Sequence, residues 1–227
     1  MLDMLSRFLR TLLTPYDITD ALQDLTVTVQ EALRLHGAGV SINRSGELEF
    51  ITAQPTALVE LERHQQDVQA GPCIEAFRRG EIVAIRDLGD YRDRWPEYCQ
   101  MAARMGLAAV AGIPMRVDSE PIGSLNLYDA TARDWGKQDL SVARIFADAA
   151  SVFLINSATY DRQRVLAEQL QEALSTRIVI EQAKGIIAQT HGTDVDEAFR
   201  RIRDHARARH STLREVSQAI VDLGLRL

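Results

Sequence analysis

Five arginines crowd into ten residues near the C-terminus: Arg200, Arg201, Arg203, Arg207 and Arg209. A guanidinium is a planar fork of donors that holds a phosphate through two parallel bonds. At helical spacing, Arg200, Arg203 and Arg207 share one face. Upstream, Arg177 and Lys184 stand seven residues apart, again on one face, with Glu181 between them. This pattern points to a surface for a polyanion. For any single arginine the competing reading is a solvated helix laced with ion pairs, such as Arg200 with Asp204.

Other chemistry is poorly represented. The chain has no GxxxxGKS/T loop to cradle phosphates, no HExxH, no GxSxG and no paired-cysteine motif. His36, His64, His191, His205 and His210 lack the spacing of metal ligands. Cys73 stands at the start of a short helix, where the dipole could lower a thiol pKa and make it redox-sensing. The plainer reading is a small buried filler. With Cys99 as the other cysteine there is no disulfide framework, so a reducing, cytoplasmic setting is expected. No catalytic residue, metal or resident cofactor is expected.

The elements that must position these residues fall into two parts. Met1–Thr14 has amphipathic spacing, with Leu2, Leu5, Phe8, Leu9, Leu12 and Leu13 apolar, so residues 1–16 read as a docking helix. It has neither the unbroken apolar core nor the cleavage site of a signal peptide. Asp17–Leu35 reads as a helix ended by Gly37 and Gly39. Strands near Val40–Asn43 and Leu48–Thr52 flank a Ser45-Gly46 turn. Helical Ala57–Val68 follows, then a short helix Cys73–Arg79 opened by Pro72, then a strand Ile82–Ile85. Tyr91–Met105 reads as a helix capped by Gly106. Leu107–Pro114 and Pro121–Tyr128 read as a strand hairpin. This order indicates one α+β domain with an antiparallel sheet and flanking helices.

From Asp139 to Gln189 the sequence can be nearly one helix, its stripe formed by Ile145, Val152, Leu166, Leu170, Leu174 and Ile178. That length points to a coiled-coil-like linker over 155–172 and to a homodimer. Gly192 caps it. Val195–Arg209 follows, with Val195, Phe199, Ile202 and Ala206 inward. Leu213–Leu223 opens on a Thr212/Glu215 capping box, with Val216, Ile220 and Leu223 inward. Charge divides with the structure: residues 1–160 hold 15 basic and 22 acidic side chains, residues 161–227 hold 11 and 10. No apolar run in the sequence approaches a membrane span.

The C-terminal motifs are recognisable. Leu174-Ser-Thr-Arg177, Ile180-Glu-Gln-Ala-Lys-Gly-Ile-Ile187, Glu197-Ala-Phe199 and Leu213-Arg-Glu-Val216 together resemble the ANTAR domain, a three-helix output module of bacterial RNA-binding antiterminators. The resemblance covers about residues 173–223, and the module is read as 173–227. Ala183 and Gly185 would permit close helix packing, and Lys184 would face solvent. His210 departs from the usual pattern, which has an Asn-like residue there. Residues 17–154 resemble the GAF sensory domain, through Gly71-Pro-Cys73, Glu75-Ala76, Asp87-Leu88, Trp95-Pro96, Gly112-Ile-Pro114 and Ile122-Gly-Ser-Leu-Asn-Leu-Tyr128. The NKxxFxxxDE pattern of cyclic-nucleotide GAF domains is absent, and so is a chromophore-attachment cysteine. An unidentified small molecule or protein would be the signal.

The resemblance implies an RNA partner: two hairpin loops held by a dimer so that a terminator cannot form. Splayed loop bases are readable where an A-form stem is not. By resemblance the RNA-binding residues are Arg177 and Lys184, then Ser211, Thr212 and Arg214 at a helix start. Arg203 and Arg207 join them from the charge pattern. The alternatives are a DNA-binding regulator, since short helices rich in arginine can imitate a helix-turn-helix, and a GAF-type thiol enzyme using Cys73 and Cys99.

Overall fold

The computed structural model describes residues 17–227; the amphipathic helix expected over 1–16 lies outside them. The chain divides into two compact units, with the boundary between Ala158 and Thr159.

The first unit is α+β. Helix α1 (Ile18–Leu33) starts where the Asp17 side chain accepts the Thr19 N–H, and it buries Ala21, Leu22, Leu25 and Val29 along one face. Arg34, in the left-handed region, ends it. Gly37 and Gly39 therefore do not cap this helix; they belong to strand β1 (Gly37–Arg44). A turn through Ser45 and Gly46, both at positive φ, leads into β2 (Glu47–Gln54). Helices α2 (Val59–Val68) and α3 (Pro72–Arg79) follow, then β3 (Val83–Ile85). The helix expected over Tyr91–Met105 is shorter, because Pro96 bars its preceding residue from helical geometry. Trp95 is non-helical, at φ −136° and ψ 70°, and α4 runs from Pro96 to Arg104. Strands β4 (Ala109–Val117) and β5 (Glu120–Asp129) form the expected hairpin.

The sheet is antiparallel, ordered β2-β1-β5-β4-β3, so β5 is its central strand. Side chains alternate across it. On one face Leu125 and Leu127 of β5 meet Ala111, Ile113 and Met115 of β4, covered by α1 and by Phe146, Ala147 and Ala150. On the other face Tyr128 and Val110 lie among residues of α2, α3 and α4, including Leu61, Cys73, Tyr98 and Cys99.

Helix α5 spans Lys137–His191 without interruption. Its start is fastened by Arg133, which pairs with both Asp129 and Asp139 and also donates to the Leu33 carbonyl. One stretch of α5 is long and apolar enough by composition to cross a membrane. Its residues Val142, Ala143, Phe146 and Ala150 are instead buried in the sheet's core.

In the second unit α5 ends at Gly192, whose φ of 63° suits a residue without a Cβ. Helices α6 (Val195–Ala208) and α7 (Leu213–Leu223) complete it. The shared core is Ala183, Ile187, Ala198, Ile202, Ala206, Val216 and Ile220. Two details differ from the expected faces. Ala198 replaces Val195 as the first inward residue of α6, because the i, i+4, i+8 row 198-202-206 is the one that meets Ala183. Leu223, expected inward, is 83% exposed at the fraying end of α7.

Leu125→Ala removes a fully buried side chain from the central strand. It should lower unfolding stability by roughly 2–5 kcal/mol; a denaturant midpoint unchanged from wild type would contradict the two-faced packing.

Candidate functional site

The expected RNA-binding residues are all in the second unit, in different electrostatic states. Arg177 is exposed, and no carboxylate among the described residues pairs with it. Arg207 is likewise exposed and unpaired. Arg203 is half-buried, its Nε 3.7 Å from Asp204 Oδ1 and without a hydrogen bond.

Lys184 does not face open solvent as the sequence pattern predicts. Its ammonium donates to both oxygens of Glu181, at 3.0 and 2.9 Å, and lies 5.7 Å from the centroid of the Phe199 ring. Only 16% of its side chain is exposed. The amphipathic stem covers an aromatic ring of α6, which a spacing argument on α5 alone does not reveal. Ala183 is buried in the helical core as expected, but Gly185 is exposed, and a Cβ added there would meet nothing within 4 Å.

The start of α7 is occupied by its own carboxylate. Thr212 Oγ1 accepts the Glu215 N–H at 3.2 Å, and Glu215 Oε2 accepts the Thr212 N–H at 2.7 Å. These bonds hold the Glu215 carboxyl below its ordinary value. A negative charge already sits where a phosphate would use the helix terminus. Ser211 is exposed beside it, and Arg214 pairs with Glu172 at 2.6 Å. Arg200 and Arg201 both pair with Glu197 rather than with Asp204. Within α6, α7 and the part of α5 they pack against, the cations without a carboxylate partner among the described residues are therefore Arg177, Arg207 and Arg209, with Arg203 weakly paired; Arg162 and Arg226, also unpaired, lie outside the expected surface.

The interior of the first unit holds polar chemistry that no sequence motif announced. Glu62 of α2 is buried, and its two oxygens accept from Asn126 Nδ2 at 3.0 and 2.9 Å. Tyr128 Oη donates to Glu62 Oε1 at 2.9 Å. Ser124 donates to Asn126 Oδ1 at 2.7 Å. Gln65 bridges from Tyr128 to the backbone N–H of Cys73. The signal was available as polar residues 124, 126 and 128 at period two in an otherwise apolar strand. Burial pushes Cys73 well above the ordinary thiol range, reinforced by the nearby Glu62 charge, so the helix start does not activate it. Burial also raises Cys99. A shallow 150 Å³ pocket beside this interior is lined by His64, Arg94, Trp95 and Tyr98, among others. The described residues contain no cluster of His, Cys, Asp or Glu suited to a metal ion.

Comparison with known proteins follows the same division. The family model of the GAF domain matches residues 17–154, and that of the ANTAR domain matches residues 168–221. No curated protein sequence matches the chain. Among solved structures, a GAF domain of a phosphoenolpyruvate-protein phosphotransferase from Coxiella burnetii superposes with a TM-score of 0.56 at 16% identity, over 71% of this chain and 96% of that one. A free methionine-R-sulfoxide reductase from Neisseria meningitidis gives 0.53 at 17%, over 69% and 89%. A domain of a sensor histidine kinase protein from Sinorhizobium meliloti gives 0.54 at 15%, over 65% and 98%. At these identities the likeness is one of fold.

Replacing Lys184 by Ala uncovers Phe199 and frees Glu181, so thermal stability should fall by about 0.5–1 kcal/mol. Arg177→Ala should stay within about 0.5 kcal/mol of wild type. Equal melting temperatures for Lys184→Ala and wild type would contradict the packing role.

Proposed function

We propose that this chain, which belongs to the GAF family and carries an ANTAR domain behind its sensor, is a signal-responsive RNA-binding regulator of the cytoplasm. The observation that carries the reading is the set of exposed, unneutralised arginines on the helical module, Arg177 and Arg207 above all. A cation without a carboxylate partner gives up no internal pairing when it meets a phosphate. It contributes to affinity by displacing counterions from the nucleic acid. The target class is RNA hairpin loops in nascent transcripts, and the outcome is antitermination.

Within the proposed site Arg177, Arg203 and Arg207 contact phosphate directly. Arg214 and Ser211 lie at its margin. Lys184 and Thr212 shape it, the first by covering Phe199 and the second by capping α7. The active form is a homodimer. Leu166, Leu170, Leu174 and Ile178 of α5 are each at least half exposed in the single chain. An apolar row of that kind is normally covered by a second helix. Cys73 and Cys99 take no part in this function; both are buried free thiols.

Competition between hairpin RNA and duplex DNA tests the target class, and tighter binding to duplex would overturn it. Arg177→Ala and Arg207→Ala should each weaken hairpin binding and reduce the slope of log affinity against log salt by about 0.7–1. An unchanged slope in both variants would remove these residues from the interface. Leu170→Asp should convert a dimer to a monomer by sedimentation, while a wild-type chain that sediments as a monomer at micromolar concentration would refute the helix pairing.

A further inference from the structure

The polar cluster inside the sensor has the arrangement of a device with two states. Glu62 is 1% exposed, and among the described residues no cation stands beside it. Its partners are all neutral, and all of them donate: Asn126 Nδ2 to both oxygens and Tyr128 Oη to one. Three donated bonds suit a carboxylate that carries charge. Burial without a counter-charge suits a carboxylic acid. The two demands oppose each other at one side chain.

Protonation changes what the cluster must hydrogen-bond. A proton on Oε2 directed at Asn126 Nδ2 would set donor against donor at 2.9 Å, so the acid needs the proton turned away, the Tyr128 hydroxyl reversed or the carboxyl shifted. Reversing the Asn126 amide would require the Ser124 hydroxyl, which now donates to Oδ1, to turn round and accept from the amide. Backbone geometry also pins the carboxyl in place. Asn126 is flanked in the sheet by Gly39 on one side and Gly112 on the other. A Cβ on Gly39 would sit 2.1 Å from Glu62 Oε1, so the missing side chain is what makes room for the carboxyl. Gly112 similarly admits α3, with a Cβ there reaching 2.8 Å from that of Ala76.

We propose that Glu62, Asn126 and Tyr128 form a proton-operated switch in the sensor, in which uptake of one proton by the Glu62 carboxyl breaks its double contact with Asn126 and re-sets α2 against β5. The proton comes from solvent and becomes a covalent O–H on Glu62; no other bond changes. β5 runs directly into the Asp129–Arg133–Asp139 clamp at the start of α5, which gives a displacement of its face a route to that helix. The device is independent of the RNA reading, because its readouts lie wholly within the sensor.

Groups on every packed element fit this assignment. From β5, Tyr128 faces Glu62; from α3, Cys73; from α4, Tyr98, whose hydroxyl approaches Tyr128 without reaching hydrogen-bond geometry. β1 contributes only Gly39. Burial pushes Cys73, Tyr98 and Tyr128 well above their ordinary ranges, so all three stay neutral around pH 7. Burial pushes Glu62 up to about 7, against the opposing hydrogen bonds from Asn126 and Tyr128. On α2 itself, the imidazole of His64 lies 3.9 Å from the Glu97 carboxylate of α4 and serves as the control. Because the folded value lies above the ordinary 4.5, the folded chain holds this proton more tightly than the unfolded chain. The stability it confers is full below pH 4.5, is lost as pH rises to about 7, and is absent above that.

The experiment uses the full chain with 13C-labelled glutamate side chains and 15N-labelled asparagine amides, followed by NMR from pH 5 to 8.5. The expected result is one carboxyl resonance with a midpoint near pH 7, and an Asn126 amide resonance that moves with the same midpoint. Glu62→Gln should abolish both and hold Asn126 at its acid position at every pH. Tyr128→Phe removes one donor to the charged form, so it should shift the midpoint upward; it keeps the test alive should Glu62→Gln fold poorly. His64→Gln should leave the midpoint in place. A Glu62 carboxyl that titrates below pH 5, an Asn126 resonance that stays fixed, or loss of the transition in His64→Gln would each overturn the switch.

Discussion

The sensor depends on one strand satisfying two interiors of opposite character. β5 lies at the centre of the sheet, and both of its faces are buried. Leu125 and Leu127 enter a core of aliphatic and aromatic side chains, where burial needs no orientation. Ser124, Asn126 and Tyr128 enter the opposite core, where each polar atom must find a partner or incur a desolvation penalty. A register slip of a single residue would exchange these sets, placing an amide and a phenol against Phe146 and leucines against Glu62. The polar row therefore fixes register as well as any apolar pattern could. Two glycines flank Asn126 for separate reasons: Gly39 makes room for the Glu62 carboxyl, and Gly112 for the close approach of α3.

The C-terminal module works under a different constraint. Its core is built from alanines and a few branched residues, which bury little area but let three helices approach closely. Such a core cannot also bury long cations, so the arginines are left at the surface and differ only in whether a carboxylate reaches them. Glu197 neutralises two of them, and Glu172 a third. Charge count alone therefore overstates the polyanion surface. What remains available is set by the positions of acidic residues three and four places away on the helix, and by one contact between α5 and α7.

Much of this was legible in the sequence. Period-two and period-3.6 patterns located the strands and helices, Pro72 and Gly192 marked boundaries, and the Thr212/Glu215 spacing announced a capping box that the structure contains. What was not legible depends on tertiary approach. Arg34 rather than a glycine ends α1, since a cap needs only one residue willing to turn left-handed. Pro96 shortened a helix whose apolar spacing extended through it. The direction of Lys184 depends on Phe199, fifteen residues away on another helix. The Glu62 cluster joins residues more than sixty positions apart, so the sequence could show only its β5 half, Ser124, Asn126 and Tyr128 at period two, and not the carboxyl they meet.

Gly185 sharpens the reading of α5. Glycine in the middle of a helix costs about 1 kcal/mol relative to alanine. Nothing among the described residues requires it: the position is exposed, and an added Cβ would meet open space. Ala183, two residues earlier, has an evident internal cause in the core of the module. The distinction matters, because the two small residues look alike in sequence and do different work. Ala183 admits α6. Gly185 leaves bare backbone on the outer side of α5, along the same helical face as the exposed Ile178. A local loss of helix stability at an exposed site, beside an apolar row that no described residue covers, suits the close approach of another surface. The apolar row favours a second helix at that face, and the unneutralised Arg177 next to it on the helix favours an anion. In the proposed dimer and the proposed RNA complex alike, Gly185 is where a partner can come closest to the backbone of α5.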